Sequence, residues 1–161
     1  MLKLFLLRHG KACNPKLDQK DYDRPLNKKG IAQINQLAFH LKTVDIGAKE
    51  LKFSSAKRTE ETALILNHHC NFDKITNSES LYLAKEEFIL KHLNENGEHA
   101  NLVYVGHNFG ISNLASILSG KHISMSTGML IELHFNFDDW SAVIPGSGKI
   151  ASTFKPDIYL P

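Results

Sequence analysis

The chain has 161 residues and a formal net charge of +2; 42% of its residues are hydrophobic and 22% are charged. This length is typical of one domain and the composition excludes intrinsic disorder, so we expect a single domain over residues 1–161. The lysines are scattered and no apolar run has the length of a membrane span, so neither nucleic acid nor a membrane is an expected partner.

The two cysteines, Cys13 and Cys70, form no CxxC pair. A chain of this length can bury a sizeable core and needs no disulfide to hold it together. A reducing, cytoplasmic location therefore fits this sequence best. We also expect the protein to be a monomer.

The first predicted element is a strand at residues 2–7, which is almost entirely apolar and therefore typical of a central strand buried on both faces. We prefer this interpretation to a signal peptide, because the run ends at Arg8 and no small-residue cleavage site follows. A helix at residues 28–44, capped by Asn27, comes next. Its apolar residues recur at helical spacing and are predicted to face inward: Ile31, Ile34, Leu37, Ala38 and Leu41.

Strands and helices then alternate along the chain. Strands are predicted near residues 51–54, 74–77 and 102–105, and helices at 57–68, 85–94 and 111–118, with Gly97 and Gly120 ending the last two helices. Three more strands follow at 129–135, 140–144 and 150–154, and Trp140 is predicted to pack in the core. This alternation favours a layered α/β domain with a largely parallel sheet.

Arginine is rare in this chain. Only Arg8, Arg24 and Arg58 are found among 19 basic residues, and each lies in a segment suited to holding a phosphate. The guanidinium group is planar, carries five donors and keeps its charge, so it binds a tetrahedral oxyanion better than lysine does. The distribution of arginine therefore points to an anion site.

Chemically special residues follow three of the predicted strands. These are Arg8-His9-Gly10, Ser54-Ser55 with Arg58, and Gly106-His107-Asn108. Ligands collect at the carboxyl ends of strands in open α/β sheets, so we expect these groups to share one crevice.

Two histidines and two arginines at one crevice favour phosphate chemistry, although a strand-end histidine taken alone is more often structural. An unprotonated imidazole is a good nucleophile toward phosphorus, and arginines offset the charge on the equatorial oxygens. A second imidazole, if protonated, adds another positive donor. This arrangement requires no metal and no cofactor.

The same segments resemble the signatures of the histidine phosphatase superfamily, which includes the phosphoglycerate mutases. The three matching stretches are residues 6–10, 54–63 and 105–108. The resemblance implies that His9 is the nucleophile, that Arg8 and Arg58 bind phosphate, and that His107 completes the pocket. It also implies a three-layer α/β/α sandwich with a mostly parallel central sheet, as in phosphoglycerate mutase.

Residues 21–30, which contain Arg24, look most like the short SixA-type branch, the phosphohistidine phosphatases. Arg24 and Asn108 are candidate substrate-binding residues, although a salt bridge from Arg24 to Asp21 or Asp23 is an equal alternative. The short connection from Arg58 to His107 leaves no room for the long lid of larger members. An open pocket of this kind admits a phosphorylated side chain on another protein.

One departure from the superfamily pattern concerns the proton donor. Branches that act on phosphate esters usually supply a carboxylic acid to the leaving alcohol, and here Glu79, Glu86 and Glu87 are only candidates. SixA-like sequences often have an acidic residue where this chain has Leu83. A phosphoramidate needs less help, because its P–N bond breaks readily once the ring is protonated.

The sequence therefore predicts a cofactor-independent phosphatase that acts through a phosphorylated His9, with a phosphohistidine-bearing protein as the favoured substrate. The first alternative is a phosphatase for small phosphate esters. The second is a phosphoprotein-binding module without turnover. The run His68-His69-Cys70 is not a predicted metal site, because neighbouring side chains on a helix point apart.

Overall fold

The computed structural model describes residues 1–44, 46–96 and 100–157. Within these ranges no helix has the length and apolar character that crossing a bilayer requires. The strands are β1 (Leu2–Arg8), β2 (Ala48–Ser54), β3 (Lys74–Ser78), β4 (Asn101–Gly106), β5 (Leu130–Phe135) and β6 (Lys149–Phe154), and the helices are α1 (Lys28–Thr43), α2 (Lys57–Cys70), α3 (Glu86–Asn96) and α4 (Gly110–Ser119).

The strands form one six-stranded sheet in the order β3-β2-β4-β1-β5-β6. The first four strands in this order are mutually parallel, whereas β5 runs antiparallel to β1 and β6 antiparallel to β5. The strands β2, β4 and β1 therefore lie side by side and end at the same edge of the sheet. This is the arrangement that the alternating pattern of strands and helices predicted.

Helices cover both faces of the sheet, which confirms the predicted three-layer α/β/α sandwich. On one face, side chains of α1 and α2 pack against β1, β2 and β4 in a cluster that includes Ile34, Leu66 and Phe53. On the other face, α3 and α4 pack against the sheet in a second cluster with Leu93 and Leu114. The strands alternate between the two clusters because successive side chains point to opposite faces.

The helix α1 begins where the sequence predicts it. The side chain of Asn27 accepts a hydrogen bond of 2.8 Å from the Gly30 amide, which satisfies one of the free donors of the first turn. The predicted inward positions are buried except Ile31, which is 44% exposed. In the first turn the buried stripe passes through Gly30 and Gln33 instead, so residue 31 lies to one side of it.

The prediction of a strand at residues 140–144 was wrong. Residues Trp140–Ala142 form a 3-10 turn, and the carboxylate of Asp139 caps it by accepting a hydrogen bond of 2.8 Å from the Ser141 amide. Trp140 is buried, as predicted, and its indole nitrogen donates to the Ala100 carbonyl over 3.1 Å. The predicted helix stop at Gly97 lies outside the described residues.

Gly30 of α1 packs closely against the backbone of Lys11, in the segment that carries His9. A substitution at Gly30 tests this packing. A Cβ at Gly30 would overlap the carbonyl oxygen of Lys11 and lie 2.7 Å from the Lys11 nitrogen. Replacing glycine by alanine in an open helix stabilises it by about 1 kcal/mol. Here we expect Gly30→Ala to lower the free energy of unfolding by about 1–3 kcal/mol, because the backbone of Lys11 or of α1 must shift to make room for the methyl group.

Urea unfolding followed by circular dichroism measures this difference. Lys28→Ala, at an exposed position of the same helical turn, is the matched control and is expected to change stability by less than about 0.5 kcal/mol. A stabilised Gly30→Ala variant would contradict the close approach of α1 to the backbone of Lys11.

Candidate active site

The register of the sheet brings the three predicted segments together. Arg8 at the end of β1 pairs with Gly106 at the end of β4. Phe53 of β2 pairs with Val105, so Ser54 stands on the other side of Gly106. His9, His107 and the first turn of α2 therefore leave the sheet side by side.

A pocket of about 330 Å³ opens at this edge of the sheet. It brings together all six residues that were predicted from the sequence, and it adds Lys11 to the three arginines. No carboxylate is found among the described residues that line it, which are Arg8, His9, Lys11, Ala12, Asn14, Arg24, Arg58, Leu83, His107, Asn108 and Thr127.

His9 is held in one tautomer. Its Nδ1 lies 2.7 Å from the carbonyl oxygen of Gly10, and a carbonyl can only accept, so the ring proton resides on Nδ1. The lone pair is therefore on Nε2, which lies 3.3 Å from the Nε donor of Arg58. The side chain is 8% exposed. The Nε2 nitrogen therefore carries the lone pair of the ring and accepts the hydrogen bond from Arg58.

Two arginines flank this nitrogen and are anchored by carbonyl groups. Arg8 donates from Nη1 to the Met125 carbonyl over 2.7 Å, and its buried Nε has no hydrogen-bond partner among the described residues. Arg58 is the second residue of α2, and its side chain is 4% exposed. It donates from Nη1 to the Asp21 carbonyl over 2.7 Å. Both guanidinium groups are thus oriented before any anion binds.

His107 lies against His9, with ring centroids 5.2 Å apart. Its Nε2 is 2.8 Å from the hydroxyl oxygen of Ser54, and its buried Nδ1 has no hydrogen-bond partner within the part of the chain that the structure describes. The edge of the Tyr82 ring packs on it at a centroid distance of 5.5 Å. His107 lines the pocket, and its Nδ1 is the ring nitrogen that the contact with Ser54 does not use.

Both histidines are neutral at physiological pH. Burial, together with the nearby Arg58 and Arg8, lowers the pKa of His9 to about 4. Burial, followed by the charges of His9 and Arg58, lowers the pKa of His107 to about 3. The idea that the second imidazole carries a positive charge thus does not describe the free site.

Arg24 forms the salt bridge to Asp21 that the sequence left as an alternative, and a role in substrate binding stays a prediction. It lines the pocket, and its Nη1 lies 2.6 Å from a carboxylate oxygen of Asp21. The other oxygen of Asp21 accepts from Arg58 over 2.9 Å and from the Tyr82 hydroxyl over 2.6 Å. The Tyr82 hydrogen bond, with those from Arg24 and Arg58, holds the pKa of Asp21 well below its usual range.

Asn108 also lines the pocket, but its side chain braces the surrounding backbone. Its amide nitrogen donates to the Met125 carbonyl over 3.2 Å, and its oxygen accepts from the Ser112 hydroxyl over 2.6 Å. The same Met125 carbonyl anchors Arg8. A direct role for Asn108 in substrate binding stays a prediction.

The candidate proton donors lie away from the pocket. Glu86 and Glu87 line a neighbouring groove with Phe109, and Glu86 accepts a hydrogen bond of 3.1 Å from Asn113. Glu79 belongs to a 3-10 turn and is not among the lining residues. Across the described parts of the chain, no group of three or more His, Cys, Asp or Glu side chains is arranged to hold a metal ion.

The low pKa of His9 generates a test. A nucleophilic imidazole must be unprotonated, and with a pKa of about 4 the ring stays neutral from about pH 8 down to about pH 5. We expect the His9 ring resonance to titrate near pH 4 in NMR spectra, with the His9→Asn spectrum assigning the signal. A midpoint near the usual value of about 6.5 would contradict the buried, cation-flanked environment.

Asp21 generates a second test, on stability. Because its pKa is lowered by folding, its ionised form stabilises the protein above about pH 4, and this contribution is lost as the pH falls further. We expect Asp21→Asn to lower the free energy of unfolding at pH 7 by about 1–2 kcal/mol, a figure reduced for the partial exposure of the carboxylate.

Urea unfolding at a series of pH values provides the measurement. The difference from wild type should be constant above about pH 5 and should shrink below about pH 4. Asp23→Asn, at an exposed position of the same 3-10 turn, is the matched control. An equal effect of the two substitutions would show that Asp21 does not act through the arginines.

Comparisons with known proteins agree with this geometry. The model of the histidine phosphatase superfamily (branch 1) matches residues 4–82, which include Arg8, His9 and Arg58. An uncharacterised chloroplastic protein of Arabidopsis thaliana is 26% identical over 172 positions, which cover 96% of this chain and 78% of that protein.

Two solved structures share the fold. A SixA protein from Agrobacterium tumefaciens matches with a TM-score of 0.83 and 21% identity, over 96% of this chain and 97% of that one. The protein histidine phosphatase SixA, solved in complex with tungstate, matches with a TM-score of 0.80 and 19% identity, over 96% of this chain and 97% of that one. Similarity to the histidine phosphatase superfamily thus covers residues 4–82, and the fold of the chain is like that of the SixA proteins.

Proposed function

We propose that this protein is a phosphatase that forms a phosphohistidine on Nε2 of His9 and then hydrolyses it. The observation that carries the proposal is the tautomer of His9. The Gly10 carbonyl holds the proton on Nδ1, so the Nε2 lone pair faces a pocket lined by Arg8, Arg24 and Arg58. A nucleophile inside a cationic pocket is suited to a phosphorylated substrate.

In the first step a bond forms between Nε2 of His9 and phosphorus, while the bond from phosphorus to the leaving group breaks. The negative charge of the loose transition state is spread over three equatorial oxygens, which the guanidinium groups of Arg8 and Arg58 stabilise. In the second step water attacks phosphorus and the Nε2–P bond breaks. Orthophosphate leaves as H2PO4⁻ with both protons of the water, and His9 returns to its neutral form.

The lining of the pocket favours a leaving group that needs no carboxylic acid. The described residues around it include no carboxylate, and Asp21, which is bound to Arg24 and Arg58, is ionised at neutral pH and holds no proton to give. An alcohol would depart as an unstable alkoxide. Imidazole departs as a neutral molecule once its other nitrogen is protonated, so a phosphohistidine is the favoured substrate.

The rim of the pocket supports a substrate carried on another protein. Leu83, which lines the pocket, is 53% exposed, and Phe109, which follows His107 and Asn108, is 79% exposed. Exposed apolar side chains of this size beside a polar pocket are typical of a surface that contacts another macromolecule. The SixA protein that shares this fold is described as a protein histidine phosphatase, which agrees with such a substrate.

The test is a trapping experiment with radiolabelled phosphoramidate, quenched in alkaline detergent because phosphohistidine is labile in acid. We expect the label on His9, and neither label nor phosphate release in His9→Ala. His122→Ala, which removes an exposed histidine, is the matched control and should keep full turnover. Label on another residue, with normal turnover, would overturn the mechanism.

A second arm of the same experiment separates the alternatives. A histidine-phosphorylated peptide and glycerol phosphate are compared as substrates. We expect kcat/KM to be at least about 100-fold higher for the peptide, because hydrolysis of the ester lacks the rate enhancement that a general acid usually provides. Equal values would favour an ester phosphatase with an unrecognised proton donor. Tight binding without phosphate release would support a phosphoprotein-binding module.

A further inference from the structure

Ser54 is the last residue of β2, and its side chain is fully buried beneath the pocket. Its hydroxyl oxygen lies 2.8 Å from Nε2 of His107. We propose that Ser54 is a positioning residue that fixes the tautomer of His107, so that the Nδ1–H of His107 donates a hydrogen bond to the phosphoryl group. This inference rests on the proposed reaction at His9 and adds a residue to it.

The hydrogen-bond partners of Ser54 decide the direction of this contact. A hydroxyl has one proton to donate. In the described part of the chain, the Ser54 oxygen has two contacts within hydrogen-bond distance, the Ala56 amide at 3.5 Å and His107. The amide can only donate, so the hydroxyl proton has Nε2 of His107 as its acceptor.

The opposite arrangement leaves two buried groups in unfavourable positions. If Nε2 of His107 carried the proton and donated it to Ser54, the hydroxyl proton would have no acceptor. His107 lines the pocket, and a lone pair on its Nδ1 would repel an anion bound beside the ring. An unsatisfied buried polar group costs about 1–3 kcal/mol, so donation from Ser54 is the favoured arrangement.

The proposal makes the two imidazoles complementary. A carbonyl accepts the proton of His9, which exposes a lone pair to phosphorus. A hydroxyl donates to His107, which leaves its ring proton on the buried nitrogen without a protein partner. The rings lie 5.2 Å apart, so one imidazole is the nucleophile and its neighbour is a donor to the same phosphoryl group.

The pKa of His107, lowered to about 3, agrees with a neutral donor in the free enzyme. A neutral ring has only one proton, so its value for catalysis depends on which nitrogen holds that proton. Removing one donor aimed at a developing oxyanion costs about 10²–10³ in kcat. We expect the loss of Ser54 to cost less, because the correct tautomer of His107 remains partly populated.

The first measurement is the tautomer itself, read from the ¹⁵N NMR shifts of the His107 ring in the wild-type protein. We expect a protonated Nδ1 and an unprotonated Nε2, and a mixture of tautomers in Ser54→Ala. A wild-type ring with its proton on Nε2 would overturn the proposal. This readout does not depend on turnover, so it also decides the matter if a variant fails to fold.

The second measurement is the hydrolysis of phosphoramidate. Ser54→Ala should lower kcat by about threefold to tenfold with KM changed by less than about threefold, because only the fraction of His107 in the correct tautomer stabilises the transition state. Ser54→Thr keeps the hydroxyl and should restore most of the activity. Ser55→Ala is the matched control, because the neighbouring hydroxyl has no protein partner and should be dispensable.

A double-mutant cycle separates positioning from general support of the fold. If Ser54 acts through His107, then Ser54→Ala in a His107→Ala background should change kcat by less than about twofold. A full additional loss in that background would overturn the proposal. If the wild-type protein releases no phosphate, the proposed function fails, whereas the tautomer of His107 still tests the hydrogen bond from Ser54.

Discussion

The hydrogen bond from Nδ1 of His9 to the Gly10 carbonyl is the contact on which the site depends. Without it the ring proton could occupy Nε2, and the nitrogen beside Arg58 would have no lone pair to offer. The bond is local, because it joins neighbouring residues, but its direction is set by the fold. The amides of His9 and Gly10 bond to the Gly106 carbonyl and to the Thr62 hydroxyl, which hold this turn against β4 and α2.

The parts of the fold and site that could be predicted from sequence are those that local patterns determine. The apolar run of β1 and the capping position of Asn27 define their elements without tertiary information. One rule, that ligands bind at the carboxyl ends of parallel strands, predicted that four side chains would lie close together: Arg8, His9, Arg58 and His107. The register of β1, β4 and β2 then confirmed that these ends form one row.

The residues that sequence reasoning missed act through long-range contacts. Asp21 appeared only as a partner of Arg24, whereas its carboxylate also joins Arg58, 37 positions away, and Tyr82, 61 positions away. Ser54 looked like one of two equivalent serines, and only the strand register shows that its side chain faces His107. The 3-10 turn at Trp140 resembled a strand because the segment is mostly apolar, but only Trp140 and Val143 are buried and its residues do not alternate between two faces.

Burial, reinforced by the positive charge of the pocket, explains why the pKa values of its two histidines are low and both rings are neutral. Arg8, Arg24 and Arg58 line it with Lys11, and Asp21 balances part of this charge from outside the lining. The remaining cations disfavour protonation of His9, which keeps its lone pair available, and they attract a phosphate dianion. In the proposed reaction the same charges keep the His9 lone pair available and attract the substrate, so the proposed chemistry needs no carboxylate at the reacting atoms.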